Sequence, residues 1–201
     1  MEYLFLILPF FCYGCTDQNN TAVSLFLRAD SSVYLTEIAS ETGDLFNDLG
    51  HHGPAIENEW LGLRYYFDKK AAIDVYSKSR KGLELREARW YPSIEQQENG
   101  WGADYYKVGS TVGLGGIRLW DGEKVIPLDP VTNRSARVVK QGSTSKMEIR
   151  SENIPCKGVR LISLFVLLFF PENGRPRLKQ SHWVMTLYSL LQESIIMMDK
   201  K

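Results

Sequence analysis

The stretch His51-His52-Gly53-Pro54-Ala55-Ile56-Glu57-Asn58-Glu59-Trp60-Leu61-Gly62-Leu63-Arg64-Tyr65-Tyr66-Phe67-Asp68 sets two histidines, two glutamates and an arginine among a row of aromatics. Its near alternation of polar and apolar side chains is the period of a β-strand with two unlike faces. Read as one extended run, it puts Glu57 and Glu59 on a face with Leu61, Leu63, Tyr65 and Phe67, and Asn58, Trp60, Arg64 and Tyr66 on the other. Cα atoms two apart on a strand lie about 6.6 Å from each other, within the roughly 5 to 9.5 Å over which carboxylate pairs work on glycosides. Solvent-facing strands also carry Glu-x-Glu with no chemical role, so the spacing leaves catalysis and a solvated edge equally open.

Working outward, short extended runs recur at residues 22–27, 32–36, 71–76, 82–90, 108–112, 116–120, 124–128, 136–140 and 146–150. Short strands at this spacing predict an all-β, antiparallel β-sandwich. Asp121-Gly122 falls between two of these runs, where a hairpin turn needs the positive φ that glycine accepts. Residues 43–50 read as a polar loop, and residues 93–98, with Ser93 and Gln96 at capping-box spacing, as a helical turn. Gly113-Leu114-Gly115-Gly116 leads into a strand, whereas a phosphate-cradling loop opens a helix, so these glycines mark a tight bend or a close backbone approach.

The two ends differ from this middle. Residues 1–15 form a short apolar run closing on Gly14-Cys15, the pattern of a lipoprotein signal in which Cys15 is lipidated and residues 16–21 become a tether. A buried terminal strand is the alternative, and a spanning helix is excluded because it needs about 20 apolar residues. Cys12 and Cys15 form a C-x-x-C, but with Cys156 as the third cysteine there is no second pair for a zinc site. At the other end, residues 161–170 are almost uniformly apolar, as in a fully buried strand. Residues 181–201 then set Val184, Leu187, Leu191, Ile195 and Met198 near helical spacing. So apolar a helix at the end of a β-chain sets local against global signals. The expectation is therefore a sandwich domain over residues 22–158 and an atypical tail over 159–201, from a truncation or a shifted frame, that stays out of the sheet.

Twenty-four basic residues balance twenty-four acidic ones, so no field of one sign points to nucleic acid or to an anionic membrane surface. Membrane contact is expected only through the N-terminal lipid. The 44% hydrophobic fraction suffices for a globular core, and the 12% aromatic fraction, set beside carboxylates and arginine, suits a sugar-binding cleft as well as it suits ordinary strands.

Within the leading stretch, His51 and His52 are candidates for general acid or base, since imidazole exchanges protons near neutral pH. The Gly53-Pro54 turn would swing one of them toward Glu57 and Glu59, with Tyr65 extending the row. Adjacent histidines splay apart on an extended chain, so neither a metal nor a cofactor is predicted. Arg64 either clamps a uronate carboxylate bidentately or pairs across strands with an acid such as Asp74. Trp60, Trp90, Trp101 and Trp120 offer rings for stacking on sugars, Asp104 between Gly102 and Tyr105 is a loop ligand, and Lys78, Arg80 and Lys81 read as a solvated basic turn.

The segments 51–59, 64–69, Trp90-Tyr91-Pro92 and 109–122 together resemble the bacterial domain-of-unknown-function 4861 family, over about residues 45–153. That resemblance implies a secreted protein, often encoded beside polysaccharide-degrading enzymes, with a galactose-mutarotase-like β-supersandwich. Members of the family are longer, continuing through further strands not found after Gly158, which implies an incomplete sandwich here. The expected function is action on a poly- or oligosaccharide, including uronate-containing ones, by acid/base chemistry. The alternatives are a non-catalytic carbohydrate-binding surface lipoprotein and an inactive truncated fragment.

Overall fold

The computed structural model describes residues 21–89, 91–128 and 132–170, together with the backbone of 184–189; Cys15 and Trp90 lie outside these residues. Two antiparallel sheets form the framework of the described residues. The first has four strands in the order β1-β3-β4-β5, namely β1 (Thr21–Ser24), β3 (Ala55–Asn58), β4 (Leu61–Tyr65) and β5 (Ile73–Ser77). The second, in the order β11-β10-β9-β8-β2, contains β2 (Glu37–Ser40), β8 (Asn133–Gln141), β9 (Thr144–Cys156), β10 (Val159–Phe169) and β11 (Val184–Ser189). Among the described residues there are also a hairpin of β6 (Leu119–Trp120) and β7 (Val125–Ile126), the single-turn helices α1 (Leu85–Ala88) and α2 (Ile94–Glu98), and a 3-10 turn at Gly50–His52.

The sheets face each other as a sandwich, because Ile56, Leu63, Tyr65 and Ile73 of the first share one core with Ala136, Val138, Met147, Ile149, Phe165 and Leu167 of the second. Burial alternates along β8 and β9, as period two requires. A slip of one residue would turn Ile56 and Leu63 into solvent at about 1.5–3 kcal/mol each, so the core fixes the register.

Local turn chemistry appears as read from the sequence. Asp121 Oδ1 accepts the Glu123 and Lys124 N–H groups, both at 2.8 Å, and closes the β6–β7 hairpin. Ser93 and Gln96 form a reciprocal capping box on α2. Gly113, at φ +70°, lets its backbone approach the Ile73 carbonyl where any Cβ would collide.

Three expectations are corrected. The leading stretch is not one strand but a hairpin, with Glu57 opposite Gly62 and Ala55 opposite Arg64. The cause is Asn58, whose side-chain oxygen accepts the Trp60 N–H at 2.9 Å and the Leu61 N–H at 2.8 Å, turning the chain without glycine. Of the predicted strands, 82–90 contains helix α1 instead, and 108–112 is a turn held by Val108 and Thr111.

The tail, finally, joins the sheet in its described residues, whereas Leu191, Ile195 and Met198 of the predicted helix lie outside them. β10 pairs with β9 from Val159 opposite Cys156 to Phe169 opposite Ser145, and places Phe165, Leu167 and Phe169 in the core. Its other edge pairs with β11, from Leu161 opposite Ser189 to Val166 opposite Val184. A strand therefore stands at 184–189 where helical spacing was read, because the backbone groups along β10 need partners and a strand supplies them.

Candidate functional site

The hairpin redistributes the leading stretch between two faces. Val23, Ile56, Leu63 and Val75 make a cross-strand row on the core side. On the outer side lie two adjacent rows, Ala22-Glu57-Gly62-Tyr76 and Ser24-Ala55-Arg64-Asp74. Glu57 and Arg64 thus share a face, which strict alternation along a single strand forbids, and Glu59 moves to the turn. The outer face is covered in part by the segment carrying α1, with Leu85 packed on Ala55 and Tyr76. Gly62 permits this, since a Cβ there would already press on Leu85 and Tyr76.

The Glu57 row is buried at Glu57 and Tyr76, and a cavity of about 350 Å³ lined by Ala22, Glu57, Leu83, Arg86 and Lys140 borders its other end. The Glu57 carboxylate accepts from the backbone N–H groups of Glu84 at 2.9 Å and Leu85 at 3.0 Å, and from Lys78 Nζ. Lys78 spends its remaining donors on the carbonyls of Asn58 at 2.6 Å and Gly82 at 2.7 Å. Its side chain is fully enclosed, which corrects its place in the solvated basic turn, where Arg80 and Lys81 do stand half-exposed, and burial pulls its pKa down against the opposing pull of Glu57. His51, also buried, donates from Nε2 to the Leu85 carbonyl at 2.9 Å. Two of the predicted proton-transfer residues, Glu57 and His51, are therefore enclosed and committed to the polypeptide itself.

The Arg64 row is itself buried, with Ser24, Ala55, Arg64 and Asp74 each at 2% exposure or less, and solvent reaches only the groups set against it. Asp74, opposite Arg64 in register, takes Arg64 Nη2 in a buried ion pair, the cross-strand partnership foreseen for it. The same Nη2 lies 2.6 Å from Asp104 Oδ2, whose side chain is 20% exposed. Asp104 is delivered by the segment that follows Ala103, which anneals to the edge of β5 through paired hydrogen bonds with Ser77. Tyr66 donates its hydroxyl to Asp74 at 2.7 Å, and the Tyr91 ring lies over the guanidinium, 5.0 Å from centroid to Cζ. Arg64 Nε and Nη1 are buried and have no hydrogen-bond partner among the described residues.

Beside Tyr66 stands His52, its ring 5.8 Å from the phenol ring and stacked on Phe46 at 3.7 Å. The backbone at His51 and His52 adopts φ of +56° and +61°, a left-handed pair that L-residues enter only at a cost. That strained turn sends His51 into the Glu57 row and His52 toward the partly exposed groups beside Arg64. His52 Nδ1 donates to the Phe46 carbonyl at 3.0 Å, which fixes the tautomer whose basic lone pair is on Nε2.

Electrostatics divides the groups beside Arg64 into acid and base. Burial raises the Asp104 pKa; Arg64 opposes the rise and Asp74 adds to it. Burial lowers that of His52. Burial and the hydrogen bond to Asp74 push the Tyr66 phenol far up, and burial raises Tyr91 as well, so both rings stay neutral. For Arg64 burial disfavours the charge, but Asp74 and Asp104 outweigh it and its pKa rises.

The remaining predicted site residues are dispersed. Glu59 lies on the hairpin turn, 3.2 Å from Lys81. Tyr65 faces the core, 6.0 Å from the Phe165 ring, so its place in a substrate row is corrected. Trp120 stands 64% exposed on the β6–β7 hairpin, a sheet of its own, and Trp101 lies beneath the Arg80 guanidinium. Among the described residues no group of three or more His, Cys, Asp or Glu side chains is placed to hold a metal. Also among them, no helix is long and apolar enough to cross a membrane.

Sequence reasoning gave no functional role to Asp74, Tyr66 or Tyr91. The available signal was Asp74 itself, a charge inside the β-prone run Ile73-Asp74-Val75-Tyr76, where an acid needs a buried partner.

Residues 17–161 match the family model described as Domain of unknown function (DUF4861), and the chain belongs to that family. No curated protein and no solved structure matches it.

Proposed function

We propose that this DUF4861 member acts on carbohydrate at the partly exposed groups beside the buried Arg64, with Asp104 as proton donor and His52 as proton acceptor. The observation that carries the reading is Asp104, a partly exposed carboxyl with a raised pKa, set on a buried arginine that keeps two donors unpartnered. A carboxyl in such surroundings holds a proton to give to a sugar oxygen, and the neutral imidazole of His52 takes one from a hydroxyl or water. Asp74 and Tyr66 orient this pair and are positioning residues. Around Asp104 the chain presents Tyr91, Tyr105 and Tyr106 to solvent, Tyr105 at 73% exposure, and exposed rings are what the apolar faces of a sugar stack upon. The same rings support a second reading, a carbohydrate-binding module without turnover.

This reading keeps the galactose-mutarotase-like relationship and the association with polysaccharide utilisation as proposals, together with export and lipidation at Cys15. The sandwich architecture and family membership are compatible with all of them. The test is affinity electrophoresis against a series of plant and algal polysaccharides, combined with an assay for released or epimerised sugar, on the wild type and Asp104→Asn. Retardation with turnover that Asp104→Asn removes supports the enzyme. Retardation without turnover supports the binding module, and neither overturns both.

A further inference from the structure

The cavity of about 350 Å³ beside the Glu57 row runs along β1, the edge strand of the first sheet, where the segment carrying α1 and the end of β8 also reach it. Its volume falls within the roughly 300–1,000 Å³ of small-molecule sites. Ala22 and Leu83 give it apolar walls, and Arg86, Glu87 and Lys140 bring it charge. Asp104 belongs to the β5 edge, the opposite edge of the same sheet.

The two cations of this cavity lack counter-charges. Lys140 Nζ donates to Thr21 Oγ1 at 2.6 Å and forms no ion pair among the described residues. Burial lowers the pKa of this ammonium, and no acid among the described residues opposes the shift. Arg86 lays its guanidinium over the Tyr34 ring, Cζ 4.3 Å from the centroid, and it too pairs with no carboxylate among the described residues. Glu57, which borders the cavity, is already neutralised by Lys78. Glu87 is then one anion against two cations, and the described lining is one negative charge short of neutral.

A partly desolvated ammonium with donors to spare calls for a charged acceptor, and the planar fork of an arginine matches a carboxylate. One carboxylate brings the lining to neutrality, whereas a phosphate dianion overshoots it and meets Glu87 as a like charge. Glu87 in turn accepts hydroxyls, and Ala22 and Leu83 offer an apolar surface to the C–H face of a ring. We infer that this cavity binds a small hydroxylated carboxylate of the sugar-acid class, at a site separate from Asp104 and His52. Arg64, fully enclosed and held by Asp74 and Asp104, does not form the uronate clamp that the sequence suggests for it. The β1 cavity needs no proton transfer at Asp104 or His52 to bind its ligand.

The experiment is calorimetric titration of the full chain with galacturonate, galactose, acetate and inorganic phosphate, for the wild type, Lys140→Met, Arg86→Gln and Asp104→Asn. Galacturonate should bind at least about tenfold tighter than each of the other three probes. Lys140→Met and Arg86→Gln should each weaken it by about tenfold, and Asp104→Asn should leave it within about twofold of wild type. Galactose binding as tightly as galacturonate overturns the reading of charge, and acetate or phosphate doing so overturns the sugar-acid class. Wild-type affinity in both Lys140→Met and Arg86→Gln, or no binding of galacturonate at all, overturns the site. Thermal unfolding near the wild-type temperature keeps a folding defect from passing as lost binding, and should Lys140→Met unfold, the exposed Arg86 decides through Arg86→Gln. Galacturonate binding that survives in an Asp104→Asn variant without turnover separates this site from the one proposed above.

Discussion

Two rows of polar residues sit side by side on one face of the same four-stranded sheet, and they are finished differently. In the Glu57 row every ammonium proton of Lys78 has an acceptor, and the facing carboxylate takes two backbone amides as well. In the Arg64 row one guanidinium nitrogen carries two carboxyl groups while two other nitrogens have no hydrogen-bond partner among the described residues. A buried charge is costly unless paired, so the full pairing of Lys78 and Glu57 is what stability alone produces, although Glu84 Oε1 behind the same helix has only Arg80, at 3.8 Å, near it among the described residues. Incomplete pairing beside partly exposed groups keeps a cost that folding does not require. The difference assigns architecture to the first row and chemistry to the second.

The largest expected effect tests the Glu57 row. Glu57→Ala leaves the Lys78 ammonium buried without its counter-charge and removes the acceptor for two amides near the start of α1. Unfolding in urea should show a loss of about 3–5 kcal/mol. A loss below about 1 kcal/mol, with turnover abolished, would reverse the assignment of the two rows.

Asp104→Asn tests the Arg64 row and should do the opposite. Turnover of an oligosaccharide should fall by about 100-fold or more, the range of a lost general acid. Unfolding should shift little, because Asp104 is partly exposed and Arg64 keeps Asp74.

The pH profile sharpens the same contrast. Turnover needs His52 neutral, and burial lowers its pKa from 6.5, so the acid limb lies below the ordinary imidazole range. It also needs Asp104 protonated, and burial with Asp74 raises its pKa from 3.8, so the alkaline limb lies above the ordinary carboxylate range. The product of the two fractions peaks on the acid side of neutrality. An optimum in the alkaline range would separate these residues from the proton transfers.

Much of this architecture was legible in the chain because its signals are local. Asp121-Gly122 and the Ser93 to Gln96 spacing carry their own hydrogen bonds, and the alternation in β8 and β9 carries its own burial. The β3–β4 turn was not legible, since Asn58-Glu59-Trp60-Leu61 holds no glycine and turns on a side-chain oxygen within an alternating run. That one turn decides which residues face which, and with it the membership of the site. The tail was misread for a different reason. Pairing to β10 overrides a helical spacing at 184–189, and pairing is a property of strands distant in sequence. Arg64 and Asp74 could be matched as a pair, but Tyr91 and Asp104 reach them through loops whose course no periodicity encodes.

The smallest effect belongs to Glu59, the carboxylate that a single-strand reading pairs with Glu57. On the β3–β4 turn it meets only the half-exposed Lys81 among its ion-pair partners, at 3.2 Å. Pairs open to solvent contribute about 0–1 kcal/mol, because water screens the attraction and ordering two long side chains costs entropy. Glu59→Gln keeps the side-chain length and removes the charge, so stability should change by less than about 1 kcal/mol and turnover should stay near wild type. Because the two side chains meet each other, a double variant with Lys81→Met should fall short of the two single effects summed by no more than the pair itself contributes, about 0–1 kcal/mol. A turnover loss in Glu59→Gln comparable to that of Asp104→Asn would mean that the chemistry lies at the hairpin turn, on the Glu57 side of the sheet, and that Asp104 and His52 have been given the wrong role.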